Sequence, residues 1–439
     1  MTNNHPSSAT HIAQVIGLLN ERADYAVLRN FEELPHGNAS RDIDIIITRD
    51  SLRRVRHDLI ELIDTTGWKI ITYLNSDRLI TYVTARNNGD TTEIVQWDFF
   101  VDTSVFGIEL MSAAEFLKGK KFNGFLWHVD EDARFLDKYL YNRVVGAQYP
   151  AKYASTRRVA EKMPTVEAKL RDTLGVATVA EGDKASSRRM LLHAFMRRPL
   201  RNMGSFVRFE YTRLANYFRS TGFSVGFTGP DGAGKTTVID RMIDRLGPVF
   251  RQAHGYFHFR PQLFGNMGEV AHKAGVKKNV DRNYDKPHRG GRTGELSSLA
   301  RLAYYSADYV AGHWMRTKRV VRITRLAIYD RYFTDIICDS RRSRIYLSPR
   351  FLNLWRALLI PSLDYNILLT ASTSVILQRK RELDADGIAA INAKIDYLAP
   401  KRGYLKVMND STPDEAVTTI LNHIFEKQHR HNLRRLGYK

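Results

Sequence analysis

Residues 223–243 read FSVGFTGPDGAGKTTVIDRMI, and the rest of the second half of the chain can be placed around them. Residues 223–228 are mostly apolar, as in a buried strand, and residues 229–236 match the pattern G-x-x-x-x-G-K-[ST] at every fixed position. Apolar side chains then recur at helical spacing at Val238, Ile239, Met242 and Ile243. A strand, a glycine-rich loop and a helix in this order are typical of a phosphate-binding loop.

The composition of this loop suits a polyphosphate. Glycines let the backbone curl closely around phosphate oxygens, and the first N–H groups of the following helix add donors and partial positive charge. Lys235 can span the β- and γ-phosphates, and the Thr236 hydroxyl can ligate Mg²⁺. The sequence therefore predicts a site for ATP and Mg²⁺ formed by Gly229, Asp231, Gly232, Ala233, Gly234, Lys235, Thr236 and Thr237.

Length and composition indicate two or three globular domains. The chain has 439 residues, of which 43% are hydrophobic, and its net charge of +20 favours anionic partners. A single cysteine, Cys338, excludes an internal disulfide and is typical of a reducing compartment. Residues 1–14 lack the features of a secretory signal, and no window of about 18 apolar residues predicts a membrane span. We therefore expect a cytoplasmic protein, or one held peripherally at the inner membrane face.

Strand and helix signals alternate through residues 221–428. Candidate strands lie at 223–228 and 254–259, before Asp330, at 364–370 and from 404 onwards. Candidate helices lie at about 295–317, 351–359, 373–384, 387–398 and 413–427, and the basic segment 262–294 is predicted to be a loop. This alternation predicts an α/β fold with a doubly wound parallel sheet, in which ligands bind at the carboxyl ends of the strands.

Charged residues near those strand ends are candidates for phosphoryl transfer. Asp330 can hold Mg²⁺, and Arg331 and Arg260 can bind an acceptor phosphate. Arg379 and Arg381 can close over the transferring phosphoryl group. The alternatives are a polar strand end at Asp330 and an ordinary solvated helix face at the two later arginines.

These motifs resemble the thymidylate kinase group of nucleoside monophosphate kinases. The resemblance rests on the loop GPDGAGKTT, on Asp330-Arg331-Tyr332, on the arginines of 378–382 and on the ending YLKVMNDSTPDEAVTTI. It implies a P-loop kinase in which Asp231 faces the sugar of the acceptor and Lys235, Arg331, Arg379 and Arg381 are catalytic. The chain has no counterpart of the family's Tyr-Gln pair in FTDIICDSRRSRIY. Thymidylate is thus the acceptor by resemblance, and a sugar or polyol derivative is the alternative.

Three aspartates stand out in residues 1–125. Asp42 and Asp44 lie two apart on a predicted strand, so both side chains face one side, and Asp98 ends the run EIVQWDFF. Adjacent carboxylates repel unless a cation lies between them, which predicts a second Mg²⁺ site. The pattern resembles nucleotidyltransferases of the DNA polymerase beta type and implies an α+β domain, although Arg29-Asn30 replaces the family's Gly-Ser pair.

Residues 126–220 are predicted to form a helical, basic connector. Between residues 188 and 219 there are eight arginines and one acid, Glu210, interleaved with apolar residues. The apolar side can pack between the two domains, or the segment can bind an anionic membrane surface; nucleic acid is the weaker alternative. Pro199 and Gly204 are expected to interrupt the helix. The last residues, 429–439, are predicted to be a frayed basic tail.

Three functions remain open at this point. The first is an ATP-dependent kinase for a small acceptor, and the second is a bifunctional kinase and nucleotidyltransferase. The third is a nucleotide-gated binding protein without catalysis. A nucleotidyltransferase-like half before a thymidylate-kinase-like half resembles bacterial two-part proteins associated with surface-polysaccharide synthesis, and a homodimer is a further possibility.

Overall fold

The structure, a computed structural model, describes residues 7–37, 42–151, 154–176, 184–247, 255–264, 294–322, 326–380 and 382–438. The chain forms two compact units. The first unit contains residues 1–86, 93–219 and 425–439, and the second contains residues 87–92 and 220–424.

The first unit is built on a mixed sheet. Its strands are β1 (Tyr25–Val27), β2 (Asp42–Ile47), β3 (Lys69–Asn75), β4 (Leu79–Asn88), β5 (Thr91–Phe100), β8 (Lys121–Phe122) and β9 (Trp127–His128). The order across the sheet is β3-β4-β5-β2-β1-β9-β8, and β2 runs parallel to β5. Strands β6 (Asp102–Val105) and β7 (Ile108–Ser112) form a separate hairpin. Helices α1 (Ser8–Arg22), α2 (Arg49–Thr65) and α3 (Ala113–Leu117) complete the N-terminal part.

The predicted connector is part of this first unit. Its helices are α4 (Glu131–Val145), α5 (Ala154–Ala160), α6 (Pro164–Leu174), α7 (Lys184–Arg197) and α8 (Pro199–Phe218). Leu140, Leu170 and Met190 from these helices share one buried cluster with Ile46 of β2 and Phe100 of β5. The structure therefore has no domain boundary at residue 126, because these helices bury their apolar faces against the sheet.

Helix α8 also differs from expectation. Pro199 is its first residue, where the missing N–H is not needed, so it begins the helix. Gly204 lies inside α8 and does not interrupt it. A lone glycine lowers the stability of a helix by only about 1 kcal/mol, which the flanking helix-forming residues and tertiary contacts offset.

The second unit is an α/β structure on a parallel five-stranded sheet. Its strands are β10 (Phe223–Thr228), β11 (Gly255–His258), β12 (Leu326–Asp330), β13 (Tyr365–Thr370) and β14 (Tyr404–Met408). The order is β11-β12-β10-β13-β14, and each neighbouring pair is parallel. Every residue of β10 and β12 is buried, as their apolar sequences predict for central strands covered on both faces. The predicted parallel α/β sheet is confirmed.

Helices connect these strands. They are α9 (Lys235–Leu246), α10 (Glu295–Gly312), α11 (Lys318–Arg322), α12 (Phe333–Cys338), α13 (Ser340–Ser343), α14 (Pro349–Leu359), α15 (Thr373–Arg379), α16 (Ala385–Leu398) and α17 (Pro413–Leu436). A π-helical turn, His313–Thr317, joins α10 to α11. Helix α15 ends at Arg379, five residues earlier than the predicted end at 384. Most of the predicted loop 262–294 lies outside the described residues, which resume at 294.

The predicted frayed tail is instead the end of α17, which continues to Leu436. Within the first unit, His429 and Asn432 of this helix are buried. The backbone N–H of Ile70 donates to His429 Nδ1 at 3.1 Å, and Asn432 Nδ2 donates to the Ile70 carbonyl at 2.9 Å. Ile70 belongs to β3, the edge strand of the sheet. The last turns are ordered because their polar side chains satisfy an otherwise open strand edge.

Candidate active site

The glycine-rich loop lies between the end of β10 and the start of α9. Gly232 and Gly234 have φ values of +89° and +84°, in the left-handed region that favours glycine. A Cβ atom at Gly229 would lie 1.9 Å from the carbonyl oxygen of Leu369, and one at Gly234 would lie 2.5 Å from Asn409 Nδ2. The loop thus requires glycine both for its backbone conformation and for its close packing on the ends of the neighbouring strands.

Lys235 is buried against the loop that precedes it. Its Nζ donates to the carbonyl oxygens of Gly229 at 2.9 Å and Pro230 at 2.8 Å, and lies 3.8 Å from Asp231 Oδ1. Burial, assisted by the positive charge of Arg331, lowers the pKa of Lys235 to about 8. The ammonium group is therefore held ready at the loop but is poorly solvated there.

Asp330 ends β12 beside the loop strand. Its Oδ2 accepts a hydrogen bond from the Tyr256 hydroxyl at 3.0 Å and lies 3.7 Å from His258 Nδ1. Burial and then the Asp330 carboxylate raise the pKa of Tyr256, which keeps its hydroxyl protonated as the donor. Among the described residues nothing donates to Asp330 Oδ1, which is buried. Both partners come from β11, where Tyr256 and His258 are the two exposed residues.

The oxygen atoms near the loop fit a hard divalent cation. Asp330 offers a buried carboxylate oxygen without a hydrogen bond in the described structure, and Thr236 offers an exposed hydroxyl in the first turn of α9. Carboxylate and hydroxyl oxygens are ligands that Mg²⁺ accepts beside phosphate oxygens. The donor set therefore matches the Mg²⁺ predicted from the sequence.

Asp231 and Arg331 lie in one network of charges. Asp231 forms ion pairs with Arg331 and with Arg342, and Arg331 Nη1 is 2.8 Å from Asp335 Oδ1. Arg331 has a φ of +74°, a strained conformation for a non-glycine residue that places its side chain between these carboxylates. Burial alone would lower the pKa of Arg331, but Asp335 and Asp231 raise it, so the guanidinium stays charged.

Arg342 was missed by sequence reasoning. It lies in the short helix α13, which Asp339 caps, and its only sequence signal was the basic stretch SRRSR at 340–344. Three arginine-to-carboxylate contacts in one buried network place anion-binding groups and a carboxylate at the same end of the sheet as the loop. This arrangement can bind an anionic acceptor or orient its hydroxyl groups.

Arg260, which was expected to bind an acceptor phosphate, instead contacts Asp308 and Tyr305. It is buried, its Nη1 lies 3.2 Å from Asp308 Oδ2, and its guanidinium carbon lies 4.6 Å from the centre of the Tyr305 ring. A role in binding the acceptor requires Arg260 to exchange the Asp308 carboxylate for a ligand. The family resemblance gave no indication of Asp308, which lies on α10.

One of the two arginines predicted to close over the phosphoryl group lies beside the loop. Arg379 Nη1 donates to the backbone oxygen of Asn409 at 2.8 Å, and Asn409 Nδ2 donates to the Ala233 carbonyl at 2.8 Å. Asn409, which follows β14, thus links Arg379 to the loop. Its position at a strand end was the signal that sequence reasoning did not use. Arg381 lies outside the described residues.

The three predicted aspartates of the first unit do come together. Asp44 of β2 lies opposite Asp98 of the parallel strand β5, and Asp42 lies two residues before Asp44 on β2. One carboxylate oxygen from each of the three lies within 4.8 Å of those from the other two. Thr81 Oγ1 and Gln96 Nε2 donate to Asp98 at 2.6 and 2.9 Å. Three carboxylates this close together could hold a divalent cation.

Arg29 occupies the position where the resembled family has its Gly-Ser pair. Its Nη2 lies 2.7 Å from Asp44 Oδ2, and the guanidinium also pairs with Asp137. Burial raises the pKa of Asp44 to about 7, although Arg29 opposes this effect. The acidic cluster therefore shares its charge with a buried internal arginine.

No protein-family model matches the chain, and no curated protein matches it. Among solved structures it is similar to a thymidylate kinase from Candida albicans, with a TM-score of 0.34, 20% identity, and coverage of 47% of this chain and 93% of that chain. A thymidylate kinase from Ehrlichia chaffeensis gives a TM-score of 0.30 and 16% identity, covering 46% of this chain and 98% of that chain. Deoxyadenosine kinase from M. mycoides gives a TM-score of 0.29 and 13% identity, covering 46% of this chain and 98% of that chain. At these TM-scores the matches carry no weight for function, which depends on the loop and the side chains around it.

Proposed function

We propose that the second unit is an ATP-dependent kinase that transfers the γ-phosphoryl group of ATP to a small acceptor. The observation that carries this proposal is the loop 229–236, with its two left-handed glycines and with Lys235 buried against it. An aspartate with a buried oxygen that lacks a donor, Asp330, ends the adjacent strand β12. Phosphoryl transfer depends mainly on positioning and on neutralising charge, and these groups supply both.

The loop and its lysine would bind the phosphates. Backbone N–H groups of the loop and of the first turn of α9 would donate to phosphate oxygens, with the partial positive charge of the helix N-terminus. Lys235 would exchange the carbonyl oxygens of Gly229 and Pro230 for the β- and γ-phosphates. Thr236 and Asp330 would hold Mg²⁺, which supplies further neutralisation of the phosphate charge.

The transfer step forms one bond and breaks one. An oxygen of the acceptor bonds to the γ-phosphorus while the bond to the β,γ-bridging oxygen breaks, and ADP leaves with that electron pair. A phosphate acceptor attacks as an oxyanion, whereas the proton of a hydroxyl acceptor would pass to Asp231. Arg331 and Arg260 would hold the acceptor, and Arg379 and Arg381 would stabilise the charge that develops during transfer.

The acceptor is proposed as thymidylate by resemblance, with a sugar or polyol derivative as the alternative. The network of Asp231, Arg331 and Arg342 is compatible with both, because arginines bind a phosphate and a carboxylate binds hydroxyl groups. The deciding experiment measures turnover of ATP with Mg²⁺, resolving ADP from pyrophosphate, against nucleoside monophosphates and sugar derivatives. ADP formation with one acceptor names the substrate.

A matched variant identifies the site responsible. Lys235→Ala should abolish ADP formation, since it removes the ammonium group that would bind the β- and γ-phosphates. Turnover that survives this substitution would place the chemistry elsewhere. Tight binding of ATP without either product would contradict a kinase and favour the nucleotide-gated binding protein.

The register of β2 and β5 favours a second candidate function for the first unit, nucleotidyl transfer at Asp42, Asp44 and Asp98. Two carboxylates on one strand and a third on its parallel neighbour can hold the divalent cation that such a reaction requires. This candidate predicts release of pyrophosphate that Asp44→Asn abolishes and Lys235→Ala leaves unchanged. Absence of pyrophosphate with every acceptor would leave the kinase as the function of the chain.

A further inference from the structure

Helix α8 turns its apolar side towards solvent. Leu200, Tyr211 and Phe218 are 90%, 73% and 78% exposed. The exposed large apolar side chains of α8 are Leu200, Met203, Phe206, Val207, Tyr211, Leu214, Tyr217 and Phe218. At about 100° per residue they fall within an arc of about 140° on one side of the helix.

The opposite, polar side attaches α8 to the first unit. Glu109 accepts from Arg201 Nη2 at 2.6 Å, and its backbone N–H donates to Asn202 Oδ1 at 3.1 Å. Asn216 Nδ2 donates to the Asn75 carbonyl at 2.6 Å near the other end. The hairpin of β6 and β7 approaches closely enough that a Cβ at Gly107 would lie 2.8 Å from Phe206 Cα. These contacts hold α8 in place along its polar side and leave its apolar side exposed on an ordered helix.

Helix α7, which precedes α8 in the chain, carries two further exposed apolar side chains. Leu192 and Met196 are exposed, whereas Met190 and Ala194 of the same helix are buried in the core. We call the exposed apolar residues of α7 and α8 together the α7–α8 apolar face. Large contiguous apolar surfaces on a protein generally mark a binding site, because leaving them in water is unfavourable.

The charges around this face indicate what covers it. Arg188 and Arg189 are exposed at the start of α7, and Arg219 is exposed directly after α8. The acid of the face, Glu210, is paired with Arg213 at 2.6 Å. The whole chain carries a net charge of +20, so a second copy would meet like charge whereas anionic headgroups would meet opposite charge.

We propose that the α7–α8 apolar face binds the surface of an anionic lipid bilayer, independently of the proposed kinase activity. The leucine, phenylalanine and methionine side chains would enter the boundary between headgroups and acyl chains. Tyr211 and Tyr217 would lie at headgroup level, where an apolar ring and a polar hydroxyl are both accommodated. Among the described helices none has the length and hydropathy needed to cross a bilayer, so the contact is at the surface.

The test is flotation of the full-length protein with vesicles of phosphatidylcholine alone or with about a third of phosphatidylglycerol, at low and high salt. The test variant is Phe206→Ser/Leu214→Ser/Phe218→Ser. The matched control is Leu354→Ser/Leu358→Ser/Leu359→Ser, which removes equally exposed apolar side chains of α14 in the other unit. All six residues are exposed, so both variants should keep the circular dichroism spectrum and the melting temperature of the parent.

We expect the parent and the control to float with anionic vesicles and the test variant to lose at least tenfold in partition coefficient. Raised salt should weaken binding of the parent. Failure of the parent to bind anionic vesicles at low salt would overturn the proposal, as would equal binding by the test variant. A dimer seen by light scattering that the test variant alone abolishes, without vesicle binding, would assign the face to a second copy instead. Binding of single-stranded DNA lost in the test variant, again without vesicle binding, would assign it to nucleic acid.

Discussion

Arg29 Nη2 lies 2.7 Å from Asp44 Oδ2, and both side chains are almost fully buried in the first unit. The same guanidinium pairs with Asp137, so one arginine holds two buried carboxylates. The pair links the acidic cluster on the sheet to α4, because Asp137 belongs to that helix. Removing one partner of such a pair leaves charge buried without compensation.

Arg29→Met should therefore lower the free energy of unfolding of the first unit by about 3–5 kcal/mol. Urea denaturation measures this change. The matched control is Arg22→Met, which removes an ion pair with Asp58 at the surface and should cost less than about 1 kcal/mol. Equal effects of the two substitutions would argue against an essential role for the buried pair.

The local sequence predicted the elements around the loop well. The strand before Gly229 and the strand ending at Asp330 are present, because their apolar runs are short and bounded by polar residues. The two strands that carry Asp44 and Asp98 were also foreseeable from alternation, and their neighbouring positions follow from a parallel pairing. Local patterns suffice where a feature depends on one strand and its ends.

Features that depend on distant partners were not predictable. Arg342 forms an ion pair with Asp231, which lies more than a hundred residues earlier in the sequence. Arg260 forms an ion pair with Asp308 on α10. The amphipathic pattern of α8 was evident, but the side that attaches was set by Glu109, which no periodicity relates to it. The ordering of the C-terminus likewise depends on the open edge at Ile70.

His11 should make the stability of the first unit depend on pH. It is buried and stacked on Trp68 with ring centres 4.2 Å apart, and burial followed by Arg86 lowers its pKa from 6.5 to about 3. Below pH 6.5 the unfolded chain binds a proton at His11 that the folded chain does not, so stability falls as the pH falls. The slope contributed is at most about 1.4 kcal/mol per pH unit.

The measurement is the free energy of unfolding of parent, His11→Gln and His57→Gln between pH 4.5 and 7.5. His11→Gln should remove up to one proton from the number taken up on unfolding at the acid end of this range, and should lower the slope accordingly, whatever its effect on absolute stability. His57→Gln, which replaces an exposed histidine of α2, is the control for the substitution itself. A parent slope that His11→Gln leaves unchanged would show that this ring titrates normally.

Gly234→Ala should damage the loop, whereas Gly204→Ala should not. At Gly234 the φ of +84° and a contact of 2.5 Å between a Cβ and Asn409 Nδ2 oppose any side chain. We expect a loss of about 1–2 kcal/mol of stability and at least tenfold weaker binding of ATP by calorimetry. Gly204 lies within α8 with nothing within 4 Å of an added Cβ. Its substitution should stabilise the helix by about 0.5–1 kcal/mol and leave the binding of ATP unchanged.

Arg342 should position Asp231 for the acceptor without taking part in the binding of ATP. Asp231 pairs with both Arg331 and Arg342, so in Arg342→Ala its carboxylate keeps the pair with Arg331 but loses the second contact that fixes its direction. The acceptor is the one identified by the turnover experiment. We expect KM for that acceptor to rise about tenfold, which corresponds to about 1.4 kcal/mol of binding free energy. KM for ATP should stay within twofold. Arg342→Lys should restore part of the loss, because the charge remains but the planar guanidinium that contacts both Asp231 and Asp339 does not. Arg341→Ala, at the exposed neighbouring position, is the control and should behave as the parent. A rise in KM for ATP equal to that for the acceptor would show that Arg342 supports the loop as a whole.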